Sequence, residues 1–144
     1  MEAIKQISIF MENKYGRMAR VAKALADANV NIRALTIAEA GDFGIVRMVV
    51  DDTPRGYKVL RDDGFTVSET DVLAVAIQDS PGGLYEIANT LGINEINVDY
   101  AYAFVTAKAE RAMLILRVDD ISSATRVLSE AGIRIATKAE IQKI

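Results

Sequence analysis

The sequence predicts an α+β fold in which one βαββαβ unit occurs twice. Three observations carry that prediction: a 144-residue chain that is 51% hydrophobic, apolar patterns that switch between strand and helix periods, and an internal repeat without a gap over its first stretch.

Ile4 to Phe10 alternates apolar and polar residues as a strand does, and Met11 to Gly16 turns the chain into a helix carrying Met18, Val21, Ala22 and Leu25. Val30-Asn31-Ile32 opens a second strand through Ile37. Glu39 to Gly44 reads as a hairpin connection, and Ile45 to Val50 as the returning strand. A second helix over about 53–63 ends at Gly64, and Phe65-Thr66-Val67 is the fourth strand.

The second half repeats this order. Val72 to Ile77 is an unbroken apolar run, Gln78-Asp79-Ser80-Pro81-Gly82-Gly83-Leu84 is the corner, and Leu84, Ile87, Ala88 and Leu91 recur at helical spacing up to Gly92. Sliding the chain by 66 places Gly16 on Gly82, Met18 on Leu84, Leu25 on Leu91, Asn31 on Asn97 and Ile32 on Val98. Strands follow at Val98 to Val105 and Ala112 to Val118, joined by a connection from Thr106 to Arg111 that is two residues longer. The register becomes 68, so Asp51-Asp52 falls on Asp119-Asp120 and Gly64 on Gly132; a helix over about 121–131 and a strand at Ile133-Arg134-Ile135 complete the second unit. Such an order implies two ferredoxin-like units, each an antiparallel sheet with both helices on one face. We place the units at residues 1–69 and 70–144, with Ser68-Glu69-Thr70-Asp71 as a short linker. Units this small bury a modest share of their surface, so pairing into a homodimer is expected.

Composition excludes several functions. There is no Cys and no His, which removes thiolate nucleophiles, zinc-thiolate sites and the commonest general base, and argues for a non-catalytic protein without a metal or other cofactor. A net charge of -3 disfavours nucleic acid as a partner. No run is apolar enough to span a membrane, and no basic-then-apolar leader opens the chain, so a cytoplasmic location is expected.

The candidate site is the second corner. Gly82 and Gly83 carry no Cβ, and the N–H groups of the helix start favour a carboxylate. Asp79 precedes them, and Asn97 opens the next strand; Asn13 and Asn31 stand at the same spacing in the first half. Read as neighbours, each pair would hold an α-amino acid, N–H groups and an amide taking its carboxylate and Asp79 its ammonium. Asp79 or Ser80 serving as a helix cap is the local alternative.

These residues resemble the ACT domain, a family that binds small regulatory ligands, usually amino acids. Asp79-Ser80-Pro81-Gly82-Gly83-Leu84 is similar to its acidic-x-Pro-Gly-x-Leu signature, and Asn97-Val98 and Asn31-Ile32 to its Asn-Ile motif. The resemblance spans the whole chain as two tandem ACT domains without a catalytic domain. It implies an amino-acid-binding regulatory or allosteric protein, with ligands held where two ACT domains meet. The first half also resembles the serine-sensing regulatory domain of phosphoglycerate dehydrogenase, which implies ligand roles for Asn13 and Asn31; Gly16 matches Gly82 in the repeat, and Arg17, facing Gly83, reads either as a solvated arginine at the helix start or as a carboxylate ligand. There Met11 stands in place of a hydrogen-bonding histidine and Tyr15 in place of the signature proline.

Other readings are weaker. A regulatory subunit that acts on a separate enzyme or transcription factor is the main alternative. An RNA-recognition module shares the element order, but Gly41 to Met48 matches its aromatic motif only in part. Asp42-Phe43-Gly44 is a hairpin turn rather than a kinase element. Asp51-Asp52 and Asp119-Asp120 read as helix caps rather than metal ligands. Tyr100, Tyr102 and Phe104 read as one packed face of a strand.

Overall fold

Alternation along the strands and 3.6-residue spacing along the helices converge on two separate cores. The computed structural model describes residues 3–105 and 111–142, which form two compact units, Lys5–Thr70 and Asp71–Gln142. The longer connection expected at residues 106–111 lies, but for its last residue, outside the described residues.

In the first unit the elements are β1 (Ile4–Glu12), α1 (Arg17–Asp27), β2 (Ile32–Ala40), β3 (Phe43–Val50), α2 (Thr53–Asp62) and the first part of β4 (Thr66–Gln78). The sheet order is β2-β3-β1-β4, with β3 antiparallel to both β1 and β2. Ile7 and Ile9 stand opposite Met48 and Val46, and this face packs on Val21, Leu25 and Leu60 of the two helices. In the second unit the end of β4 pairs with β6 (Arg111–Val118), and β6 with β5 (Val98–Val105); α3 (Gly83–Ile93) and α4 (Ile121–Glu130) supply the helices. Leu73 and Val75 face Leu116 and Leu114 over Ile87, Leu91 and Leu128. Each unit is thus an antiparallel α+β sheet with a helix pair on its core face, as the element order predicts.

Four local readings need correction. Ser68 to Asp71 is no linker: it lies inside β4, one strand of 13 residues that passes from the first unit into the second. Ile133 to Ile135 is reduced to a single bridge, Val75 to Ile135, held by Ala76 N–H to the Arg134 carbonyl (2.9 Å) and Ala136 N–H to the Ala74 carbonyl (2.7 Å). The reason is the next segment. Thr137 and Glu140 form a reciprocal capping box, Glu140 N–H to Thr137 Oγ1 at 3.2 Å and Thr137 N–H to Glu140 Oε1 at 3.3 Å, that starts the short α5 (Lys138–Gln142).

Gly92 does not end α3 but lies within it. The left-handed closing residue is Glu95 (φ 58), matching Asn29 (φ 58) after α1, while Gly64 and Gly132 close α2 and α4 as expected. Helices α1 to α4 all end in the same paired bonds, for example Val30 N–H to the Leu25 carbonyl and Ile96 N–H to the Leu91 carbonyl. Finally, Leu84 and Ala88 are exposed rather than core; only Ile87 and Leu91 of that helix are buried. Among the described residues no helix is long and apolar enough to cross a membrane.

Candidate functional site

The two strand-to-helix corners are built on one backbone plan. In the first, Lys14 N–H donates to the Glu12 carbonyl (3.0 Å), Arg17 N–H to Lys14 (3.3 Å) and Arg20 N–H to Gly16 (3.1 Å); in the second, Ser80 donates to Gln78 (2.9 Å), Gly83 to Ser80 (3.2 Å) and Glu86 to Gly82 (3.1 Å). Gly16 (φ 84) and Gly82 (φ 92) both sit in the left-handed region, where a Cβ is costly. Gly83 has its own reason to be glycine. A Cβ there would lie 2.4 Å from the Gln78 carbonyl oxygen.

Neither Asp79 nor Ser80 caps α3: the caps are Gly82 and, for α1, Gly16, and no side chain bonds to either helix start. The second helices differ. Asp52 accepts from Arg55 N–H at 3.2 Å, and Asp120 from both Ser123 N–H (3.0 Å) and Ser123 Oγ–H (2.7 Å). The repeat therefore closes α2 and α4 with carboxylates and leaves α1 and α3 with open donors. Beside the open end of α3, Pro81 and Gly82 are exposed, and the exposed Asp79 carboxylate has no partner among the described residues.

At the first corner the charges are engaged with one another. Lys14 Nζ bonds Glu12 at 2.7 Å and Arg17 lies 3.7 Å from the same carboxylate; the Lys14 bond, with Arg17 adding, holds the Glu12 carboxyl below the usual range. Asn13 is exposed and spends its backbone N–H on the Asp42 carbonyl at 2.8 Å.

Asn31 and Asn97 do not join these corners within their own units. Asn97 and Asp119 exchange two bonds, Asn97 N–H to Asp119 Oδ1 (3.1 Å) and Asp119 N–H to the Asn97 carbonyl (3.3 Å); Asn31 and Asp51 do the same at 2.9 and 3.0 Å. Gln78 instead stands opposite Arg111, at the other end of β6. Eight residues of strand, from Arg111 to Asp119, separate the two levels, about 26 Å at strand rise. The same holds from Phe43, opposite Glu12, to Asp51. The expected juxtaposition of corner and strand opening is overturned, because the first helix carries the chain back along the sheet before the second strand begins.

Sequence reading missed Asp51 and Asp119 as fasteners of the strand openings. The repeated Asp-Asp pair was the signal: its first member holds the Asn backbone and its second caps the helix. Register slips also repeat, between Ile32 and Ala34 and between Val98 and Tyr100, and the Asn97 amide reaches Asp99 at 3.0 Å. Ile32 and Val98 are part-buried against the two cores. Among the described residues no cluster of carboxylates could hold a metal ion.

No curated protein matches the sequence. The crystal structure of protein BT0572 from Bacteroides thetaiotaomicron is similar at 34% identity and TM-score 0.92, covering 99% of this chain and 97% of that one. The ligand-free regulatory subunit of aspartate kinase from Thermus thermophilus matches in fold at 16% identity and TM-score 0.67, over 90% of this chain and 92% of that one. The aspartokinase alpha and beta subunit structure matches at 20% identity and TM-score 0.62, over 88% and 90%. A family model described as an ACT domain pair matches residues 2–144. The chain belongs to the ACT domain pair family.

Proposed function

We propose that this protein is a non-catalytic regulator that binds an amino acid at the second corner. The observation that carries this reading is the contrast between helix starts: Asp52 and Asp120 close α2 and α4, while α3 begins without a side-chain cap beside the exposed Asp79, which has no partner among the described residues. The open N–H groups suit an α-carboxylate and Asp79 suits an α-ammonium. Asn97 and Val98 lie about 26 Å from their own corner, so they would serve a ligand held by the corner of a second copy of the chain. Ligand binding and dimerisation would then be linked, each favouring the other. Asn13, Gly16, Arg17, Asn31 and Ile32 form the corresponding set in the first unit.

The test is a thermal-melt screen of the full chain against the twenty amino acids and a short RNA. A ligand at about 100 times its Kd adds roughly 2.7 kcal/mol. A shift with one or two amino acids, lost in Asp79→Ala and in Asn97→Ala, is expected; no shift with any of them, or a shift with RNA alone, would overturn the reading.

A second reading has an observation of its own. α3 carries one charged residue, Glu86, and exposes Leu84, Tyr85 and Ile93 at 56%, 70% and 73%. Such an apolar face suits a regulatory subunit that docks on a separate enzyme or transcription factor. Co-purification of a stoichiometric partner, lost in Tyr85→Glu, would favour it.

A further inference from the structure

We propose that the first unit carries an oxyanion site, for a carboxylate or phosphate group, in the cleft beside Arg17. The proposal uses no residue of the Asp79 corner and deepens the reading of the first unit given above, to whose set Arg17 belongs, by naming the chemical group held there. Each unit opens a cleft at the same repeat position, between the end of its first strand, the start of its first helix and the chain after a left-handed glycine. The first has about 280 Å³ and is lined in part by Glu12, Arg17, Arg20, Gly64, Phe65 and Thr66. The second has about 300 Å³ and presents Gln78, Gly83, Glu86, Gly132, Ile133 and Arg134 at the matching places.

The frame is shared, but the chemistry differs. Arg20 is fixed before any ligand arrives: it donates to the Asp63 carboxylate (3.3 Å) and the Asp63 carbonyl (2.6 Å), and its guanidinium lies 4.7 Å from the centre of the Phe65 ring. Arg17 is different. Its side chain is 34% exposed, and its only partner among the described residues is Glu12 at 3.7 Å, too long for a hydrogen bond. Glu12 bonds Lys14 instead, at 2.7 Å. Among the described residues the guanidinium donors of Arg17 thus make no hydrogen bond, at a cleft whose one lining carboxylate is bonded to Lys14 and competes only weakly for Arg17, with a second, immobilised guanidinium on the same wall. A planar fork of this kind matches the oxygens of a carboxylate or phosphate.

The second cleft lacks this set. Gly83 replaces Arg17, Glu86 replaces Arg20, and Arg134 is tied to Glu140. An anion should discriminate between the two.

The experiment is an amide NMR titration of the full chain with inorganic phosphate and, separately, with acetate, ionic strength being held constant with NaCl. Saturable shifts are expected around residues 12–20 and 64–66 with one or both anions. Phosphate alone would assign a phosphate-bearing ligand, and acetate alone a carboxylate. Arg17→Ala should weaken binding about tenfold or more, since a charged hydrogen bond is lost. Arg17→Lys, which keeps the charge without the fork, should fall between. Glu12→Gln should tighten binding, because the competing carboxylate is gone, and Arg134→Ala should leave it unchanged. No saturable shift beyond the NaCl control, equal binding by Arg17→Ala, or shifts confined to the second unit would each overturn the proposal.

Discussion

The corners Glu12 to Arg17 and Gln78 to Gly83 share three backbone hydrogen bonds, a left-handed glycine and an uncapped helix, yet almost no side-chain chemistry. The first is a charged cluster in which Lys14 and Arg17 attend Glu12. The second is uncharged apart from Asp79 and is stiffened by Pro81. What the repeat preserves is the conformation that presents open N–H groups; what it varies is the side chains that would choose a ligand. Backbone plan and specificity are thus separable in this chain.

The largest effect that could break this comparison is expected at the position where the corners differ most. Gly83→Ala would set a Cβ 2.4 Å from a backbone carbonyl that cannot swing away, and should destabilise the second unit by about 3 kcal/mol, the upper end of the usual range for overpacking. Arg17→Ala, at the matching position, should cost under about 0.5 kcal/mol. Urea unfolding of both variants tests the contrast. Similar losses would mean that the corners are not alternatives on one frame.

A middle-sized effect is expected where the corners agree. Gly16→Ala and Gly82→Ala each force a Cβ into the left-handed region, with φ 84 and 92, at a cost of about 1–2 kcal/mol. The two losses should match closely, because neither site has a heavy atom within 4 Å of the new methyl group and strain alone acts. A clear inequality in urea midpoints would show that one corner relaxes its backbone and the other does not.

The repeat made most of this fold legible. Gly64 and Gly132, Asp52 and Asp120, and the period-2 strands could each be read from one half and checked against the other. What escaped was set by context rather than composition. Glu95 closes α3 in a left-handed conformation that no propensity assigns to glutamate, so Gly92 drew the helix end to itself. Ile133 to Ile135 looks like a strand, but the Thr137 to Glu140 capping box turns the chain after a single bridge. The site was less legible than the fold. Spacing in sequence alone did not show that Asp79 and Asn97 lie at opposite ends of the sheet; the strand-helix-strand order carries that information, because a helix between two strands of one sheet returns the chain to the far end.

The smallest expected effect sharpens a different contrast, that between the open starts of α1 and α3 and the closed starts of α2 and α4. The Ser123 N–H, with the Ser123 hydroxyl adding, holds the Asp120 carboxyl below its ordinary range. A carboxyl whose pKa is lower in the folded than in the unfolded state favours folding at pH above its unfolded pKa. That contribution is lost as pH falls through the folded pKa. Asp120 is exposed, so solvent screens the effect and it should be small. Asp120→Asn isolates it: asparagine caps a helix nearly as well but does not titrate there. Near neutral pH the variant should melt close to the parent, while its melting temperature should fall less steeply on acidification below the ordinary carboxylate range. Parallel acid limbs for the two proteins would show that the ionised carboxylate adds nothing to the cap. The difference between closed and open helix starts would then be one of hydrogen bonding alone, and the open starts could be credited with free donors but not with an unanswered preference for negative charge.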